Sequence, residues 1–105
     1  MDYRDISIDF VNAAYALLDT YKKQPGLTFA ARLHPPFFLS IDKDGHLSLK
    51  KFIIDNDIID NDLDSAEIVA VGSDSQLESI GILLTKYLDH LENDQDKWSW
   101  RFLLL

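Results

Sequence analysis

Apolar positions recur at three- and four-residue spacing through Ile6, Phe10, Ala13, Ala14, Leu17, Leu18 and Tyr21, which places them on one face of a helix. Asp2 or Asp5 can cap its start, and Asp5 and Asp9 suit the positive end of its dipole. Lys22 and Lys23 suit the last turn, and Pro25-Gly26 ends it. Ile8 and Tyr15 lie on the opposite face, exposed or as a contact surface. The period then shortens to that of strands. Leu27–Leu33 reads as one, and Pro35-Pro36 breaks it. Phe37–Ile41 and Leu47–Ile54 flank Asp42-Lys43-Asp44-Gly45-His46, the pattern of a hairpin whose Gly45 needs a positive φ. Ile68–Val71 reads as a short, buried strand. Ser73 with Gln76, or Ser75 with Glu78, forms a capping box for a second helix with the stripe Leu77, Ile80, Leu84, Leu88 and Leu91. Asn93 is its expected stop. After a polar turn over Asp94–Lys97, Trp98, Trp100, Phe102 and Leu104 alternate with Ser99, Arg101, Leu103 and Leu105, as in a strand.

The expected order is α-β-β-β-β-α-β. Hairpins imply a mainly antiparallel sheet of about four to five strands, and two helices most easily cover one face of it. The helix before the last strand permits one parallel crossover. The fold class expected is therefore α+β, as a single domain over residues 1–105, a length that supports one core and not two. No apolar run reaches the ~18 residues of a membrane span. The start, Met1-Asp2-Tyr3-Arg4-Asp5, has no apolar region of the secretory type, so a cytoplasmic location is expected.

Charge changes the picture. The net charge is −8, which disfavours nucleic acid or an anionic membrane as direct partners. Between Lys51 and Lys86 there are eight acids and no bases: Asp55, Asp57, Asp60, Asp62, Asp64, Glu67, Asp74 and Glu78. The rest of the chain carries ten of each sign. The densest part is a five-residue unit written twice, Ile53-Ile54-Asp55-Asn56-Asp57 and Ile58-Ile59-Asp60-Asn61-Asp62. Period five suits neither a helix nor a strand, so a loop or distorted edge is expected, with isoleucines tucked under and aspartates in water.

Familiar reaction chemistry finds little purchase. The chain has no cysteine, so thiolate catalysis, thiolate metal sites and disulfides are excluded. Ser40–Lys51 matches an EF-hand loop at Asp42, Asp44, Gly45 and Leu47, but Lys51 stands where the bidentate glutamate belongs, and the flanks read as strands. The run from Asp60 offers oxygens at positions one, three and five, then Ser65 where glycine is needed and Val71 at position twelve. His34, His46 and His90 show no metal-ligand spacing and read as surface residues. Val71-Gly72-Ser73 could hold an anion at a helix start, but Asp74 and Glu78 would repel it. Trp98 and Trp100 could stack on bases, yet as alternating members of an apolar strand they read as core. No catalytic residue, metal or cofactor is expected.

A catalytically bare domain with concentrated negative charge suits a stoichiometric inhibitor. The concrete expectation is an immunity protein or antitoxin that neutralises a basic, nuclease-type toxin domain, because charge steers such encounters. Asp55, Asp57, Asp60, Asp62 and Asp64 are the expected contacts, with Glu67, Asp74 and Glu78 as a rim. Alternatives are a nucleic-acid mimic that occupies a DNA- or RNA-binding groove, and a self-associating adaptor, possible as a homodimer through Ile8, Tyr15 and the apolar side of the last strand. An enzyme is the least supported reading.

Overall fold

The computed structural model describes residues 3–55, 58–60 and 62–94. Helix α1 spans Tyr3–Lys23, and a positive-φ Gly26 follows it. Strands β1 (Phe29–Arg32), β2 (Phe37–Ile41) and β3 (Leu47–Lys51) come next. Two short strands, β4 (Ile53–Asp55) and β5 (Ile58–Asp60), precede a 3-10 turn at Leu63–Ser65. Strand β6 (Glu67–Val71) and helix α2 (Gln76–Asp94) complete the order. The fold is α+β, with a four-stranded antiparallel sheet in the order β1-β2-β3-β6 and a separate β4-β5 hairpin. The strand expected from Trp98 onward lies outside the described residues, as does the parallel crossover that depends on it.

Alternation along the strands makes two faces. Phe37, Leu39 and Ile41 of β2 and Leu47 and Leu49 of β3 point to the helices. They meet Phe10, Ala14, Leu17 and Leu18 of α1 and Ile80, Leu83, Tyr87 and Leu91 of α2 in one buried cluster. Register aligns Arg32, Phe38, Lys50 and Ile68 across the opposite, outer face. A bulge between Leu49 and Lys50 lets both Val69 and Ala70 turn inward.

The β2–β3 hairpin turns as its sequence predicts. Asp42 Oδ1 accepts from the amides of Asp44 and His46, each at 2.9 Å. Gly45 has φ 85°, and a Cβ there would lie 2.9 Å from the Tyr21 ring. Strands flank this turn, so it is a hairpin and not a helix-flanked calcium loop. The cap of α2 is the second of the two expected: Ser75 Oγ accepts from the Glu78 amide at 3.4 Å.

Three expectations are corrected. Strand β6 is not buried: Ile68 and Val71 are each 63% exposed, because the bulge turns Val69 and Ala70 to the core and leaves the residues on either side facing out. The strand predicted from Leu47 to Ile54 ends at Lys51, because Phe52 leaves the sheet and donates its amide to the Pro36 carbonyl at 2.9 Å. The doubled unit is not an irregular loop. Its two copies pair with each other, Ile53 opposite Asp60, Ile54 opposite Ile59 and Asp55 opposite Ile58.

Candidate functional site

The chain between β3 and β6 folds over the outer face of the sheet. Phe52 is buried and stacks on Phe38, ring centroids 4.5 Å apart, while the Arg32 guanidinium carbon lies 5.7 Å from the Phe52 ring centre. Leu63 lines small clefts together with Ala30, Phe38 and Phe52, and so lies over the same face. Ile59 borders a cleft beside Leu33, Pro35 and Pro36. Among the described residues, nothing from Phe52 to Ile68 enters the buried cluster between sheet and helices.

The predicted acidic residues fall into two groups. The backbones of Asp55 and Asp60 belong to the hairpin, and Asp64 lies in the 3-10 turn. Asp57 lies outside the described residues. Asp62 is exposed. Glu67 is also exposed and opens β6 opposite Lys51. Asp74 and Glu78 sit beyond the other end of β6, a strand length of about 13 Å away. Glu78 Oε2 accepts from Ser73 Oγ at 3.4 Å. Asp74 is fully exposed, and its Oδ1 lies 3.9 Å from His46 Nε2. His46 Nδ1 in turn lies 3.6 Å from Asp42 Oδ2. The predicted rim is thus divided: Glu67 stays at the Lys51 end of β6, while Asp74 meets the β2–β3 turn and Glu78 stands beside Ser73. Among the described residues, no group of three or more His, Asp or Glu side chains could hold a metal ion.

A second feature was missed in the sequence. A groove of about 430 Å³ opens between α1, the end of β1 and α2, lined by Ile6, Asp9, Phe10, Arg32, Leu33, His34, Pro35 and Tyr87. Tyr87 stacks on Phe10 with centroids 5.2 Å apart, and its hydroxyl accepts from the His34 amide at 3.0 Å. Burial pushes the Tyr87 hydroxyl up to about 12, the His34 amide opposes this, and the Asp9 charge adds to it. Burial also lowers the His34 pKa, so its ring stays neutral at pH 7. Among the described residues, the buried Nε2 of His34 has no hydrogen-bond partner. Asp9, His34 and Tyr87 are separated by 25 and 53 residues, so no local spacing signals their meeting.

Among the described residues, no helix is long and apolar enough to cross a membrane. In comparisons with known proteins, no family model matches the chain, and neither a curated protein nor a solved structure matches it.

Proposed function

We propose that the protein is a small acidic stoichiometric inhibitor, most concretely an immunity protein or antitoxin that neutralises a basic nuclease-type toxin domain in the cytoplasm. It acts by binding and not by catalysis. One observation carries this reading. Five of the eight acids of the base-free stretch, Asp55, Asp57, Asp60, Asp62 and Asp64, belong to the chain between β3 and β6, whose described residues stay outside the main core. None of its described residues enters the cluster that the sheet and helices bury, so the acidic segment is an addition to the core and not part of it. Clustered carboxylates raise the encounter rate with a cationic surface and make it salt-dependent.

The test uses the tagged protein and a variant with Asp55, Asp57, Asp60, Asp62 and Asp64 changed to Asn. In the native host the parent should capture a basic nuclease and abolish its activity at one-to-one stoichiometry. The variant should lose most of that capture, and so should the parent in high salt. Equal capture by both chains, or no basic target, would overturn the reading.

A further inference from the structure

We propose that the groove between α1, the end of β1 and α2 is the anchor site for an arginine side chain of the basic partner, an inference that rests on the inhibitor role above. Its position supports this. Leu33 and Pro35 line both the groove and the neighbouring cleft that Ile59 of the acidic hairpin borders, so charge and groove adjoin. A partner drawn to the hairpin therefore meets the groove next to it. Interfaces of this kind concentrate their energy in an anchor, often an arginine, that enters a pocket.

The lining selects the chemistry. Asp9 supplies a carboxylate on the α1 wall, while Ile6, Leu33 and Pro35 supply apolar surface for a methylene stem. The neutral His34 ring and the protonated Tyr87 hydroxyl place no charge against a cation. Arg32 also lines the groove, but its guanidinium carbon lies 5.7 Å from the Phe52 ring centre, toward the outer face. Among the described residues, His34 Nε2 is an unsatisfied atom sealed from water. A rotation of the ring toward an arriving N–H gives it a donor and removes the cost of leaving it unpaired. A planar guanidinium offers several donors in a fixed fork, enough to serve both the Asp9 carboxylate and the His34 ring that line the groove. An ammonium is a single, strongly hydrated point charge and suits the groove less well.

The experiment needs no partner. The isolated protein is titrated with N-acetyl-arginine amide, and separately with the lysine and tryptophan counterparts, while NMR follows the His34 ring, the Asp9 amide and the Ile6 methyl groups. Arginine amide should give saturable shifts at all three, with lysine amide roughly tenfold weaker. Asp9→Asn should weaken arginine binding by about tenfold with an unchanged melting curve. Absence of saturation, preference for the tryptophan compound, or equal binding by Asp9→Asn would overturn the proposal. These results are separate from the inhibitor role, which stands or falls on nuclease capture by the five-asparagine variant.

Discussion

Tyr87 shows what a single residue can conceal in sequence. The apolar stripe expected for the second helix is Leu77, Ile80, Leu84, Leu88 and Leu91; Ile80 and Leu91 are buried as expected, but Leu77 is exposed and the buried ridge runs through Leu83 and Tyr87 instead. A tyrosine between leucines reads as a flank until a partner for its hydroxyl is known, and that partner is a backbone amide 53 residues away. An unfolded tyrosine ionises near pH 10, whereas Tyr87 in the folded chain ionises near 12. Between those values the unfolded chain holds fewer protons than the native one. Stability therefore falls from pH 10 to 12 and is intact below pH 10. The whole span amounts to roughly 2–3 kcal/mol. Tyr87→Phe should cost about 1–2 kcal/mol at pH 7 by leaving the His34 amide unpaired. It should also flatten the alkaline decline relative to the parent, as read by urea unfolding at each pH. An equal slope in both chains would show that the hydroxyl titrates without resistance.

At the scale of elements, the chain was most legible where periodicity and punctuation agreed. Phe37–Ile41 is β2 as expected, and Pro25-Gly26 follows the end of α1 as expected. Legibility failed at Lys50-Lys51-Phe52: Leu47 and Leu49 face the helices, while Phe52, in step with Lys50, joins Phe38 on the other side. Because the alternation runs on without a break, a hydrophobic residue after two lysines reads as a continuing strand, and the departure from the sheet leaves no mark in the pattern. The doubled unit hid its hairpin for another reason, since each copy contributes only three paired residues and a strand that short carries no period. Phe52 is consequently the joint that fastens the acidic hairpin to the sheet. Phe52→Ala should destabilise the protein by about 3 kcal/mol. It should also lower amide protection at Ile54 and Ile59 more than at Leu39 and Leu49, by hydrogen exchange. Phe52→Leu should retain most of that protection. Uniform loss in the alanine variant would mean that the hairpin and the sheet open as one unit.

For the molecule as a whole, the charge pattern was readable from the start, but its distribution in space was not. Sequence proximity grouped Asp74 and Glu78 with the aspartate repeat, whereas β6 carries them to the turn that holds Asp42 and His46. What persists is a surplus of eight negative charges. Such a surplus repels itself in the compact state, and salt relieves the repulsion. The unfolding midpoint at pH 7 should therefore rise as sodium chloride is raised from low to physiological ionic strength and beyond. The variant with asparagine at positions 55, 57, 60, 62 and 64 should be more stable than the parent in low salt and respond less to salt. Together these outcomes would mean that the hairpin's carboxylates weaken the fold they decorate, as expected of charge kept for binding. The opposite slope, with salt lowering the midpoint and the asparagines destabilising, would mean that the carboxylates are spent on attraction to cations of the same chain such as Lys50. A surface already neutralised from within has little charge left to steer a partner, and the inhibitor reading would lose its physical basis.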